Sequence, residues 1–152
     1  MINFDLDQSK LKGGQRVPYL LIEQLLKEVN KHLELGKNKL RISIAFVSDR
    51  EIRRFNKKYR GKDAVTDVLA FIMPAQNGNE KMLGEILISY SQAKKQANEF
   101  GNSTRGEALL LIVHGVLHLF GLDHEVNLKQ ANKMFALQAK ILKRFGVAFD
   151  YD

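Results

Sequence analysis

Glu107-Ala108-Leu109-Leu110-Leu111-Ile112-Val113-His114-Gly115-Val116-Leu117-His118-Leu119-Phe120 is the stretch on which the fold turns. It is apolar nearly all round and has the length of a helix. A helix with no polar face has nowhere to meet solvent, so this one is expected at the centre of the molecule. Ser103 or Thr104 leads it, and Gly121 offers a stop. Working outward, strands and helices alternate before this segment and helices dominate around and after it. That order points to an α+β domain, a mixed sheet with helices packed against it.

The central helix also carries chemistry. Three of the chain's four histidines, His114, His118 and His124, fall within eleven residues. Four residues advance a helix by little more than one turn, so His114 and His118 project to one side. A turn at Gly121 brings His124 back toward them. Each buried imidazole leaves a donor and an acceptor to satisfy, at roughly 1–3 kcal/mol per unmet group. A shared cation answers that cost. Three neutral imidazoles with one open position suit zinc, one ion per chain. His32 lies on a separate amphipathic helix and reads as surface or packing.

The remaining elements follow from periodicity. Ile2–Leu6 is a candidate first strand. Pro18–Leu35 shows helical spacing of Ile22, Leu25, Leu26, Val29 and Leu33, closed by Gly36. Leu40–Val47 alternates as a strand. Ser48 or Asp49 caps a helix to about Lys58. Thr66–Ile72 and Glu85–Ser89 read as strands around turn material at Pro74–Gly78. Ser91–Phe100 reads as a helix ended by Gly101, and Asn127–Phe145 as a last helix ended by Gly146.

Composition narrows the class. The chain has 152 residues, 45% of them hydrophobic and 27% charged, and no cysteine. One globular domain over residues 1–152 is expected, without disulfides or thiolate metal sites. The N-terminus lacks a basic region followed by an apolar run, and the most apolar window is too short for a membrane span. A cytoplasmic protein is the expectation. The net charge of +7 favours anionic partners, nucleic acid first. Asp49–Asp63 concentrates that charge, with seven lysines and arginines against three acids. Phe55 and Tyr59 lie one helical turn apart and read as inward-facing. Arg60-Gly61-Lys62-Asp63 follows the helix, and a guanidinium there is placed to grip a phosphate through two hydrogen bonds.

The spacing His-x-x-x-His-x-x-Gly-x-x-His is similar to that of the metzincin proteases. Those carry a glutamate general base where this chain has Gly115, which disfavours peptide hydrolysis unless Glu125 or Glu85 supplies the base. Two motifs in order resemble another family. Asn56-Lys57-Lys58-Tyr59-Arg60-Gly61-Lys62-Asp63-Ala64-Val65-Thr66-Asp67-Val68-Leu69-Ala70-Phe71 resembles the first signature of the YbeY family of ribosomal RNA maturation factors, and the histidine run resembles its second. Leu83-Gly84-Glu85-Ile86 between them resembles the family's Gly-acid-aliphatic strand. The chain departs from the family at Ala70, where serine is usual, and after His124, where fewer acids follow.

The resemblance implies a single-strand-specific, metal-dependent endoribonuclease that processes ribosomal RNA and acts in ribosome quality control. It implies His114, His118 and His124 as zinc ligands and Arg60 as a functional arginine. It further implies a four-stranded, mostly parallel sheet carrying the metal-bearing helix. Single-stranded ribosomal precursor RNA and the small ribosomal subunit or its proteins are the implied partners, with no membrane. On this reading Arg60 and His114 carry catalysis, and Arg60 and Lys62 bind substrate. Asp123 is a candidate to orient a ligand, and Glu85 a weaker one for proton transfer. Two alternatives stand beside it: a zinc hydrolase of another substrate, peptide included, and a ribosome-assembly factor with a mainly structural metal.

Overall fold

The computed structural model describes residues 1–74 and 77–147. The chain runs β1 (Ile2–Asp7), α1 (Tyr19–His32), β2 (Leu40–Val47), α2 (Asp49–Arg60), β3 (Val68–Ile72), β4 (Lys81–Ser89), α3 (Tyr90–Phe100), α4 (Thr104–Leu119) and α5 (Leu128–Lys143). The strands form one sheet in the order β1-β2-β4-β3. β1, β2 and β4 are parallel, and β3 pairs antiparallel to β4 at one edge. This is the expected α+β architecture, with a mixed, mostly parallel sheet of four strands and, among the described residues, five α-helices.

Local chemistry sets the boundaries. Pro18 is the N-cap of α1, just outside the helix, and the chain leaves α1 three residues before the expected end at Leu35. Ser48 closes a capping box with Glu51 at the start of α2. That helix continues past Lys58 to Arg60, so Arg60 is its last residue and Gly61 its cap. β3 begins at Val68, whose N–H is taken by the Asp67 carboxylate. β4 starts earlier than expected, at Lys81, where it pairs with Leu40. The turn expected over Pro74–Gly78 includes residues 75 and 76, which lie outside the described residues.

The sheet divides the core. On one face, Ile42, Ile44, Phe46, Ile86 and Ile88 pack with α1, α4 and α5 into the main cluster. On the other, Leu69 and Leu87 pack with Ile52 of α2, bordered by Phe55 and Phe71. α4 is pressed onto the sheet at Gly115, where an added Cβ would lie 2.9 Å from Ile86 Cγ2. At Gly84 an added Cβ would lie 2.1 Å from the Phe71 carbonyl oxygen and 2.7 Å from Leu119 Cδ2. Glycine at these two positions lets α4, β4 and β3 approach closely. The residue that replaces the metzincin glutamate is therefore a packing contact, with its Cα turned to the sheet.

Candidate active-site cleft

From Gly106 to Leu119 every residue of α4 is buried except His114 and His118, which are half-buried. Beyond its first turn, the central helix opens to solvent where it carries imidazole. α4 ends after Leu119, and Gly121 takes φ 90°, a left-handed conformation that glycine adopts without a Cβ clash. The reversal carries His124 back over the helix. Its ring centroid lies 4.9 Å from that of His114, with the planes at 61°. The Asp123 carboxylate accepts the Glu125 N–H at 2.8 Å, an Asx-type turn that shapes the loop presenting His124.

The three histidines line one cleft of about 240 Å³. Arg60 reaches it from the end of α2, with Thr66, Asp67, Val68 and Ala70 along the β3 side. Gly115 forms part of the floor, and Asp123 and Glu125 lie on the rim. Arg60 is exposed and forms no ion pair among the described residues, unlike Arg53, whose guanidinium is tied to Asp63. A larger concavity of about 600 Å³ sits at the other end of α4, beside Ser103, Glu28 and Arg144. It brings no histidines together, and the chemistry of the chain converges on the smaller cleft.

The hydrogen bonding around the rings is uneven. His114 Nδ1 lies 2.7 Å from Oε1 of Gln138, a fully buried residue of α5. An amide oxygen only accepts, so Nδ1 carries the proton and Nε2 is left as the free nitrogen. Burial pushes the His114 pKa below the ordinary histidine value; the Gln138 hydrogen bond opposes this, and the neighbouring His124 and His118 push it further down. The ring is therefore neutral at physiological pH, the form a metal ligand needs. His124 Nδ1 is buried and has no hydrogen-bond partner among the described residues. An orphaned imidazole nitrogen beside two other imidazoles is the chemistry a cation satisfies, and an all-nitrogen donor set suits zinc. As placed, the side chains do not close into a finished site: among the described residues no three His, Cys, Asp or Glu groups stand in metal-holding geometry.

Other expected residues fall elsewhere. Lys62 is exposed in the loop beyond Gly61 and does not line the cleft. Glu85 is opposite Phe71 in the β3–β4 ladder, on the sheet face away from α4, because strand alternation gives the α4 face to Ile86. It is removed from the histidines, and a role in proton transfer there is excluded. Glu125 is near them, its Oε1 3.9 Å from His124 Nε2. Asp67 was not anticipated. Its carboxylate takes hydrogen bonds from the Val68 N–H, the Thr66 hydroxyl and Gln96, and so holds the cleft wall. Gln138 was also missed. Its one signal was a polar residue four positions after Met134, where the buried stripe of α5 calls for an apolar one.

Comparison with known proteins gives a consistent answer. Residues 5–146 match the sequence profile of the family described as Endoribonuclease YbeY. The "Endoribonuclease YbeY" of Sulfurihydrogenibium sp. (strain YO3AOP1) is 42% identical over 127 residues, covering 82% of this chain and 84% of the relative. That of Aquifex aeolicus is 42% identical over 114 residues, covering 75% and 76%. The solution structure of TM1509 from Thermotoga maritima superposes with a TM-score of 0.60 at 29% identity, covering 100% of this chain and 97% of that one. The family profile covers both motifs and the histidine-bearing helix within residues 5–146, and the chain belongs to the YbeY endoribonuclease family.

Proposed function

We propose that the chain is a zinc-dependent, single-strand-specific endoribonuclease of the cytoplasm that matures ribosomal RNA and takes part in ribosome quality control. Its substrate is single-stranded ribosomal precursor RNA, met on or near the small ribosomal subunit. One observation carries the reading: the three histidines and Arg60 share a single cleft. Arg60 comes from α2, an element distant in sequence from the histidines, and lines the same cleft.

His114, His118 and His124 are the residues that would hold zinc, which supplies Lewis-acid polarisation of a phosphoryl oxygen and acidifies water. His124 Nδ1, buried and unpartnered among the described residues, gains its missing interaction when the rings draw together. Gln138 keeps the His114 proton on Nδ1 and so directs Nε2 into the cleft. Arg60 presents a planar fork to the phosphodiester and stabilises charge that grows on its equatorial oxygens. Asp123 orders the loop behind His124, and the basic face of α2 with Lys62 draws in the polyanion.

The test pairs substrate with variant. Zinc-loaded protein is expected to cut single-stranded RNA, to spare the same sequence in a duplex, and to spare an unstructured peptide. His114→Ala, His118→Ala and His124→Ala should each lose stoichiometric zinc. Arg60→Ala should keep zinc and lose about 100-fold in cleavage, the scale of one removed transition-state donor. Full zinc in all three histidine variants, or cleavage of peptide in place of RNA, overturns the reading.

A further inference from the structure

Tyr59 is the residue before Arg60 near the end of α2, and 57% of its surface is open to solvent. The spacing of Phe55 and Tyr59 led to the expectation that both pack inward, yet only Phe55 is half-buried. The exposed ring is nonetheless held in place. It stacks on Phe55 with centroids 6.0 Å apart and planes 10° apart. It meets Phe71 edge-on at 5.2 Å and 61°. Phe55 and Phe71 border the apolar cluster between α2 and the sheet, so the platform stands on a packed base.

Cations flank this platform. Lys58 Nζ lies over the Tyr59 ring, 5.2 Å from its centroid, and the Arg54 guanidinium carbon lies 5.3 Å from that of Phe55. Arg60, next in sequence, is in the cleft. Of the nearby acids, Asp63 is committed to Arg53, and Glu85 shares the Phe71 face of the sheet on the next strand inward. An exposed ring with a mobile lysine over it for a base to displace, and an arginine over the aromatic behind it, matches single-stranded nucleic acid, whose bases offer free π-faces and whose backbone offers negative charge.

The topology joins platform to cleft. Among the described residues β3 is an edge strand, paired only with β4. Ala70 lies on the cleft side of it, and Phe71, the next residue, on the Tyr59 side. Tyr59 and Arg60 are consecutive at the end of α2, so a polynucleotide held at Arg60 would meet Tyr59 by passing round this edge. We infer that Tyr59, backed by Phe55 and Phe71, is a stacking platform for one nucleobase of the RNA strand whose phosphate is gripped at Arg60. The inference rests on the endoribonuclease reading and extends it with a physical basis for strand selection. A base inside a duplex has both faces covered by its neighbours and cannot stack on a side chain, whereas a single strand can.

The test is equilibrium binding of zinc-loaded protein to a single-stranded 2′-O-methyl RNA oligomer, scanned with 2-aminopurine and with abasic nucleotides. The wild-type protein is expected to quench 2-aminopurine strongly at one position, and an abasic nucleotide at that position should weaken binding about tenfold. Tyr59→Leu keeps apolar cover over Phe55 and Phe71 but has no π-face. It should lose the quenching, weaken binding about tenfold, and raise KM for unmodified single-stranded RNA more than it lowers kcat. Tyr59→Phe should retain all three properties. Position-independent quenching and uniform abasic effects in the wild-type protein overturn the platform even if the leucine variant does not fold. Wild-type cleavage and binding with an unaffected leucine variant overturn the platform alone. Failure of wild-type protein to bind or cut single-stranded RNA overturns the endoribonuclease reading with it.

Discussion

Gln138 shows how much one buried side chain decides. Its Oε1 fixes the tautomer of His114, and its Nε2 is buried with no partner among the described residues. Gln138→Leu removes the acceptor and lets the His114 ring turn or change tautomer. Zinc affinity is expected to fall 10- to 100-fold, the usual cost of losing an outer partner of a ligating imidazole. Competition against a chromophoric chelator measures this, and an unchanged dissociation constant removes the role. His114 itself was readable from spacing, since residues four apart in a helix share a side whatever surrounds them. Gln138 was not, because its partner is 24 positions away and the contact exists only once α5 packs on α4.

At the scale of elements, α4 is central because it has no face fit for water, and it reaches the sheet because two glycines let it. Gly84→Ala sets a Cβ against a backbone oxygen that cannot rotate aside, and against Leu119 as well. We expect a loss of about 3 kcal/mol, the upper end of overpacking costs, with the cleft wall displaced. Gly115→Ala meets only the Ile86 side chain and recovers about 1 kcal/mol of helix propensity, so it should cost less. Urea denaturation orders the two; a milder effect at Gly84 contradicts the packing argument. The start of α2 gives a second prediction. The Asp49 carboxylate accepts from the Ser89 hydroxyl and from Gln92, joining α2 to the β4–α3 junction. The Ser89 hydrogen bond, aided by Ser91 and Gln92 and opposed by burial, holds the Asp49 pKa below its ordinary 3.8. Because the folded value is the lower one, the unfolded chain binds more protons between the two. The stability from this group is complete above the ordinary value and is lost as pH falls through the folded one. Asp49→Asn should flatten the acid limb of a pH–stability profile; an identical limb refutes the link.

For the whole molecule, two apolar clusters on either side of the sheet hold the fold without the cleft. His114, His118 and His124 are only half-buried and contribute little to either. Chelation is therefore expected to abolish RNA cleavage while far-ultraviolet dichroism stays native, and zinc should raise Tm in a concentration-dependent way. Unfolding on chelation would instead mark the metal as structural, the pattern of small zinc-folded domains.

Periodicity and capping made the helices and β2 legible, because these depend on neighbours within a few residues. Leu40–Val47 alternates, Ser48 caps, and Gly121 and Gly146 turn with positive φ as their chemistry requires. The histidine spacing and the two motifs were legible for the same reason, and they sufficed to point to the family. Which side of the sheet each residue faces was decided only by tertiary structure. Glu85 was a candidate for the cleft until strand register turned it to the far face. Tyr59 read as core by its spacing until the end of α2 left it standing at the open edge of β3. Register, strand order and helix docking are set by contacts between segments far apart in the chain, and no local pattern contains them.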